Sequence, residues 1–204
     1  MDKGKYILFE GPEGAGKSTQ INLLYNYLIE KNINVLKTRE PGGTPFADDM
    51  RAIVKSSKHS FGALEEMFLF SASRANLFSQ VIIPALNEGK WVISDRGYIS
   101  TEVYQGYAGG FDIERIKELN EIAMQGVKPS LIFILDVPTN VGLDKEIEGG
   151  RFSEKGVSYH EKVRQGYLEF ARRNEQNCVV IEYQEGKPEE VHKKIIKEIN
   201  LRFK

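Results

Sequence analysis

The stretch that decides the fold is Gly11-Pro-Glu-Gly-Ala-Gly-Lys17-Ser18, which fits the phosphate-loop pattern G-x-x-x-x-G-K-[ST]. Its glycines let the backbone turn so tightly that several N–H groups can point at one anion. The lysine can then reach the outer phosphates of a nucleoside triphosphate, and the serine hydroxyl can ligate Mg²⁺. The predicted triphosphate site consists of Gly11, Pro12, Glu13, Gly14, Ala15, Gly16, Lys17, Ser18 and Thr19.

The segments on both sides of this loop have the structure that the motif requires. Lys5–Glu10 is a short apolar run typical of a strand, and Thr19–Glu30 has apolar residues at helical spacing. A helix that begins at the loop would direct the positive end of its dipole at bound phosphate. A chance match in a glycine-rich turn would lack these flanks, so the sequence favours triphosphate binding.

The composition indicates an intracellular enzyme of one domain, residues 1–204. Of the 204 residues, 41% are hydrophobic and 28% are charged, which is ordinary for a globular protein. A formal net charge of −1 argues against a general nucleic-acid or membrane surface. We see no long apolar segment at the N-terminus, so we expect a cytoplasmic location. The single cysteine, Cys178, lies in an apolar run and is expected to be a buried strand thiol.

Five apolar runs predict strands, and segments with helical periodicity separate them. The runs are Tyr6–Phe9, Asn34–Thr38, Trp91–Ser94, Leu131–Asp136 and Val179–Glu182. The helical segments include Leu64–Asn87, Asp112–Gln125 and Ser158–Asn174. This alternation predicts an α/β fold with a five-stranded parallel sheet and helices on both faces. Ligands of such sheets bind beyond the carboxyl ends of the strands, so the residues that follow each strand are the candidates for the site.

Two candidates lie after the second predicted strand. Arg39-Glu-Pro-Gly-Gly-Thr44 is a turn-forming cluster, and Arg51 falls on the predicted helix that follows it. On its own, Arg51 is better interpreted as a solvated surface arginine.

Phe70 and Arg74 share a helical face, where they could stack on a planar base and bind its edge. A core phenylalanine with a snorkelling arginine fits that spacing equally well.

The third predicted strand ends in Ser94-Asp95-Arg96. Asp95 could hold Mg²⁺ or its waters beside the phosphate loop, and Arg96 would face a second anion. Thr101, Tyr104 and Gln105 then lie on one helical face that suits a base edge, although ordinary helix polarity explains them too.

Residues 145–157 read as a polar, glycine-rich surface loop. Because the loop carries Arg151, it is a candidate lid over the triphosphate, and a flexible connector is the alternative. His59, His160 and His192 have no metal-binding spacing, and we expect them to be surface or structural residues.

With these segments laid out, the chain resembles bacterial-type thymidylate kinase over essentially its whole length. The resemblance rests on the phosphate loop with Phe9-Glu10 before it and Thr19 after it, Thr38-Arg-Glu-Pro-Gly-Gly-Thr44, Phe70-x-x-x-Arg74, Asp95-Arg96 and Ser100-Thr-x-x-Tyr-Gln-Gly106. It implies a P-loop NTPase fold of the nucleoside monophosphate kinase type. It also implies transfer of the ATP γ-phosphoryl group to dTMP with Mg²⁺, and a homodimer.

The resemblance also implies a role for each motif residue. On the donor side, Lys17 would hold the ATP phosphates, while Ser18 and Asp95 would hold the metal. On the acceptor side, Glu13 would lie near the sugar and phosphate, and Arg51 and Arg96 would clamp the phosphate. Phe70 would stack on thymine, and the polar edge of the base would meet Arg74, Thr101 and Gln105. Tyr104 would block a ribose hydroxyl. Arg151 matches the lid arginine, and with Lys17 and Arg96 it would be catalytic.

Two departures from the family pattern leave alternatives open. The phosphate loop has no arginine, so the lid must supply the catalytic charge, yet the short lid offers only Lys145 and Arg151 as obvious cations. Gly97 replaces the aromatic residue or histidine often found after Asp-Arg, so we expect a looser acceptor pocket and leave dUMP open as substrate. The runners-up are a kinase for another nucleoside monophosphate or for a deoxynucleoside, and a P-loop regulator without transfer activity. The apolar Met67–Leu69 could serve a dimer interface or the core.

Overall fold

The computed structural model describes residues 4–56, 58–145 and 155–203, and it contains five parallel strands in one sheet. The strands are β1 (Tyr6–Glu10), β2 (Val35–Arg39), β3 (Trp91–Asp95), β4 (Leu131–Asp136) and β5 (Cys178–Glu182). Their order across the sheet is β2-β3-β1-β4-β5. Each strand agrees to within one residue at either end with the apolar run that predicted it, so the predicted parallel sheet is confirmed.

Helices cover both faces of the sheet. They are α1 (Lys17–Glu30), α2 (Pro45–Lys55), α3 (Ala63–Leu77), α4 (Ile83–Asn87), α5 (Tyr98–Thr101), α6 (Ile113–Met124), α7 (Thr139–Asp144), α8 (Val157–Arg173) and α9 (Pro188–Arg202). In β1, Ile7 and Phe9 pack under α1 and α9, whereas Leu8 packs toward α5 and α8 on the other face. The strands are apolar on both faces because both faces are buried, as the near-continuous apolar runs predicted.

The long helix predicted over Leu64–Asn87 is interrupted. A π-helical turn at Phe78–Ile82 separates α3 from α4. Pro84 is the second residue of α4. Proline has no N–H to donate, and its ring clashes with the carbonyl four residues earlier, which lies within the π-helical turn. A second π-helical segment, Glu102–Tyr107, continues α5 and carries two of the predicted site residues.

The strand order brings the candidate segments to one edge of the sheet. Phe9 of β1 pairs with Asp95 of β3, and Arg39 at the end of β2 pairs with Asp95 from the other side. The phosphate loop, the turn that begins at Arg39 and the Asp95-Arg96 pair therefore leave the sheet side by side. Across the described ranges, we find no helix with both the length and the apolar character that crossing a bilayer requires.

Candidate active site

The phosphate loop joins β1 to α1, and its path depends on glycines with positive φ. Gly11 has a φ of 136° and Gly14 a φ of 66°. A Cβ at Gly11 would lie 2.3 Å from the carbonyl oxygen of Leu135, and one at Gly14 would lie 2.1 Å from that of Gly142. Because no side chain fits at those distances, only glycine lets the loop pass so close to β4 and α7.

Lys17 begins α1 and lies across the loop. Its Nζ donates hydrogen bonds to the carbonyl oxygens of Gly11 at 3.0 Å and Pro12 at 2.7 Å. Burial, assisted by the nearby Arg96, lowers the pKa of Lys17 to about 8, against the opposing effect of neighbouring carboxylates. At neutral pH the ammonium is charged and poorly solvated, and it is therefore well suited to bind phosphate oxygens.

Ser18 and Asp95 meet at the predicted metal position. The Ser18 hydroxyl donates to Oδ2 of Asp95 at 3.1 Å, although 77 residues separate them along the chain. The contact follows from the pairing of β1 with β3, which sets the end of β3 beside the first turn of α1. A hydroxyl and a carboxylate at this distance are oxygen ligands of the kind that Mg²⁺ prefers.

Arg96, directly after β3, contacts the phosphate loop and the opposite wall of the site. Its Nη1 donates to the carbonyl oxygen of Gly11 at 3.1 Å, and its Nη2 lies 3.2 Å from Oε1 of Glu13. The Tyr104 hydroxyl lies 2.6 Å from both oxygens of the same glutamate. Arg96, Glu13 and Tyr104, which the sequence assigned separately to an acceptor site, are thus one contiguous cluster.

Glu13 is the anionic centre of that cluster. Burial alone would raise the pKa of its carboxyl, but Arg96, followed by hydrogen bonding from His160 and Tyr104, outweighs burial and holds the pKa well below its usual range. His160 Nδ1 lies 3.5 Å from Oε2 of Glu13, and the His160 side chain is buried. No sequence pattern indicated this contact, because α8 is distant from the loop along the chain.

Glu10, the last residue of β1, is a site residue that the sequence analysis missed. Its Oε1 accepts the backbone N–H groups of Gly97 at 2.9 Å and Ser100 at 3.1 Å. Its Oε2 accepts the hydroxyls of Ser100 at 2.7 Å and Tyr167 at 3.0 Å. Both hydroxyls also receive hydrogen bonds from Arg96. Burial raises the pKa of Glu10 even though Arg96 opposes it. A carboxylate at the end of an apolar strand is the signal that could have identified it.

Arg74 lies at the inner end of the predicted base site and is 2% exposed. Its guanidinium donates to Glu40 at 2.7 Å, Asn120 at 2.5 Å and Thr101 at 2.9 Å. The alternative interpretation as a snorkelling arginine is therefore wrong, since Glu40, Asn120 and Thr101 hold this buried group in one orientation. The contact with Thr101 also brings together two residues that the sequence assigned to the same base edge.

The other two predicted base-site residues lie on the same two elements. Phe70 is one turn before Arg74 on α3 and is partly exposed. Gln105 lies one turn after Thr101, and its Nε2 donates to Oε2 of Glu66 at 2.8 Å. Glu66 was not predicted, although its four-residue step from Phe70 along α3 could have indicated it.

Arg51 on α2 is half-buried, and its Nη1 donates to the carbonyl oxygen of Pro41 at 3.2 Å. This contact directs the side chain back to the turn after β2, at the carboxyl edge of the sheet.

Gly97 was expected to loosen the acceptor pocket, but a Cβ at this position would lie 3.0 Å from a methyl carbon of Leu8. The position faces the core, so the glycine does not by itself make the acceptor pocket looser.

Of the two candidate lid cations, the structure describes only Lys145. Arg151 lies outside the described residues. Lys145 is described: its Nζ donates to the hydroxyl of Tyr183 and lies 3.6 Å from Oε1 of Glu185. Lys145 and Tyr183 line a cleft of about 180 Å³ that also contacts Gly14 and Thr19. Lys145 therefore borders the donor side of the phosphate loop.

Comparison with known proteins places the whole chain in one group. A sequence model of the family "Thymidylate kinase" matches residues 9–195. The thymidylate kinase of Thermoanaerobacter sp. (strain X514) is 39% identical over 198 residues, which cover 95% of this chain and 96% of the relative. That of Geobacillus sp. (strain WCH70) is 40% identical over 186 residues, 88% of this chain and 89% of the relative. The crystal structure of thymidylate kinase from Ehrlichia chaffeensis matches with a TM-score of 0.80 and 34% identity, covering 97% of this chain and 99% of that one.

Proposed function

This chain belongs to the thymidylate kinase family and is a kinase that phosphorylates dTMP with ATP. We propose that the γ-phosphoryl group passes from ATP to dTMP in the space between the phosphate loop and Arg96. The observation that supports this placement best is the contact of Arg96 with both Gly11 and Glu13. A cation on the acceptor side touches the loop that binds the donor, so the two phosphates can approach each other directly. The P-loop fold of the nucleoside monophosphate kinase type, predicted from the resemblance, is confirmed.

On the donor side, the loop and Lys17 hold the ATP phosphates. The N–H groups of the first turn of α1 lie beside the loop, and Gly16 offers no side chain to cap them. Lys17 would exchange its carbonyl partners for phosphate oxygens. The cleft beside Lys145 and Tyr183 lies next to the loop and is suited to the nucleoside part of ATP.

The residues present fit Mg²⁺. Ser18 and Asp95 supply a hydroxyl and a carboxylate oxygen 3.1 Å apart, and phosphate oxygens and water would supply the remaining ligands. The described part of the chain holds no cluster of three or more histidine, cysteine or acidic side chains suited to a metal. This is consistent with an ion that binds together with ATP. Bound there, Mg²⁺ would neutralise charge on the donor phosphates.

On the acceptor side, Arg96 and Arg51 bind the dTMP phosphate, and Phe70 stacks on thymine. Arg74, Thr101 and Gln105 bind the polar edge of the base. Glu13, held by Tyr104 and Arg96, faces the sugar and phosphate. The buried Tyr104 ring occupies the space beside the sugar, which favours a deoxyribose. The comparisons give no support to dUMP as the preferred acceptor.

Catalysis by these residues is positioning and electrostatics. The nucleophile is a phosphate oxygen of dTMP that is already anionic, so no strong general base is needed. Lys17 and Arg96 surround the group that moves, and a lid cation completes the set. Arg151 as that cation, within a lid over residues 145–157 of a single kinase domain, stays a prediction.

We propose a homodimer that uses α3. The predicted apolar stretch divides: Met67 is 2% exposed and belongs to the core, whereas Phe68 is 55% exposed. Ile122 on the neighbouring α6 is 72% exposed. Light scattering should give a dimer for the wild type and a monomer for Phe68→Asp. Leu201→Asp, at an exposed apolar residue of α9, is the control that should leave the dimer intact. The cytoplasmic location stays a prediction.

A coupled ADP-release assay with dTMP, dUMP, UMP, CMP, AMP and GMP as acceptors tests the proposed function. We expect dTMP to give the highest kcat/KM, and we expect Lys17→Ala to lose activity by several orders of magnitude while it stays folded. Absence of dTMP-dependent ADP release would refute the assignment. Release without an acceptor, and unchanged by dTMP, would favour a P-loop regulator instead.

A further inference from the structure

Two rows of side chains face each other across the base site. On α3, Glu66, Phe70 and Arg74 follow in steps of four residues and therefore share one face of the helix. On the opposite segment, Thr101 and Gln105 are also four residues apart. Two hydrogen bonds join the rows, Arg74 to Thr101 at 2.9 Å and Glu66 to Gln105 at 2.8 Å. Phe70 lies between these two links along α3.

The link between Glu66 and Gln105 is buried and has a fixed direction. Glu66 is 3% exposed and Gln105 is 2% exposed. An ionised carboxylate can only accept hydrogen bonds, so the amide nitrogen of Gln105 must face Glu66 and its carbonyl oxygen must point the other way. The opposite orientation would bring two oxygens together in a buried place and leave the carboxylate without this donor. The hydrogen bond to Glu66 therefore determines the orientation of the Gln105 amide, whichever of its two terminal atoms is assigned as nitrogen.

We propose that Glu66 is a positioning residue that makes the kinase select thymine and uracil over cytosine by locking the orientation of Gln105. This inference rests on the proposed function, in which the base lies on Phe70. Thymine presents an N3–H donor beside the O4 acceptor. The Gln105 carbonyl accepts from N3–H, while Thr101 keeps its own O–H to donate beside Arg74.

Cytosine presents the reverse pattern along the same edge. Its N3 accepts, so it would meet the Gln105 carbonyl as a second acceptor. Its amino group donates, so it would meet the donors of Arg74 and Thr101. Because Glu66 forbids the rotation of Gln105 that would relieve the first conflict, the link to Glu66 adds a rejection that Gln105 alone would not provide.

Glu66→Gln tests the proposal, because it replaces one carboxylate oxygen with an amide nitrogen and keeps the shape of the side chain. The new amide can donate or accept, so Gln105 can adopt both orientations at similar free energy. About half the enzyme then keeps the thymine-binding orientation, and kcat/KM for dTMP falls only about twofold. The other half can donate to N3 of cytosine, and kcat/KM for dCMP rises by about tenfold through KM. Arg74 still opposes the amino group, so dCMP stays the poorer substrate.

Glu65→Gln is the matched control, since it removes the same charge from the adjacent, exposed position of α3. It should leave the ratio of dTMP to dCMP activity unchanged. Equal losses for both nucleotides in Glu66→Gln would indicate a merely structural role and overturn the proposal. An unchanged ratio in a variant with normal circular dichroism and ATP affinity would overturn it as well.

Gln105→Met keeps the inference testable if Glu66→Gln does not fold. It removes the carbonyl that accepts from thymine and repels cytosine N3, so dTMP activity should fall about tenfold while dCMP activity does not fall. An unchanged ratio in this variant would also overturn the inference. Failure of the proposed function is a different result, because the wild type itself would then not phosphorylate dTMP.

Discussion

Lys17→Met tests the electrostatics of the phosphate loop, because it removes the charge and keeps a side chain of similar length. The pKa of Lys17 is lowered from 10.5 to about 8, first by burial and then by Arg96. The folded protein therefore binds this proton less tightly than the unfolded chain does. Below pH 8 the charged lysine opposes folding in full, and the penalty fades as the pH rises from 8 to 10.5.

The difference between these two pKa values corresponds to about 3 kcal/mol of unfolding free energy at pH 7. Loss of the hydrogen bonds from Nζ to Gly11 and Pro12 removes about 1 kcal/mol of that gain. We therefore expect Lys17→Met to be about 2 kcal/mol more stable than the wild type at pH 7. At pH 9.5 the penalty in the wild type is about 1.4 kcal/mol, so the advantage of the variant should almost vanish.

Urea unfolding of both proteins at pH 7 and pH 9.5 measures this difference, and the ADP-release assay measures activity. Lys162→Met, the same change at an exposed position of α8, is the control for effects of surface charge. The variant should lose kcat by several orders of magnitude while its stability rises. If Lys17→Met is no more stable than the wild type at pH 7, or keeps its full advantage at pH 9.5, the reasoning about the buried charge is wrong.

Three further predictions concern catalysis and the stability of the site. The kcat/KM for ATP should fall about tenfold between pH 7 and 9 as free Lys17 loses its proton, whereas Lys17→Arg should give a lower but flat profile. Arg151→Ala should reduce kcat by about 10²–10³; if Lys145→Ala causes that loss instead, Lys145 is the lid catalyst. Glu10→Ala should lower the unfolding free energy by about 3 kcal/mol, because it leaves buried donors of Gly97, Ser100 and Tyr167 without their acceptor. A loss below about 1 kcal/mol in urea unfolding would contradict that role.

The sheet was predictable because its signals are local. Strands buried on both faces produce unbroken apolar runs such as Leu131–Asp136, and the phosphate loop carries its own spacing. The interruption of the helix before Pro84 is also a local effect, and the periodicity alone concealed it. Local patterns thus fixed the strands to within a residue but missed a break that one proline could have indicated.

The hydrogen bonds between the side chains of the site were not predictable, because they join segments that are distant in sequence. Tyr104 and Glu13 are 91 residues apart in sequence, and Tyr167 and Glu10 are 157 apart. A tyrosine on α8 has no local mark of its partner at the end of β1. The resemblance supplied the predicted roles of Arg96 and Gln105, but it did not indicate the glutamates that contact these two side chains.

Those glutamates fit the proposed role of Arg96 in binding a dianionic substrate. Although burial lowers the pKa of Arg96, the tyrosines and glutamates around it raise that pKa well above its ordinary value. Glu10 reaches the guanidinium through the Ser100 and Tyr167 hydroxyls, and Glu13 contacts it directly. A phosphate that binds Arg96 must therefore share it with Glu13 and would repel that carboxylate. The two contacts of Tyr104 with Glu13, both at 2.6 Å, oppose this displacement. In the proposed mechanism, these contacts keep the acceptor wall in place while the bound charge changes, as a reaction driven by positioned charges requires.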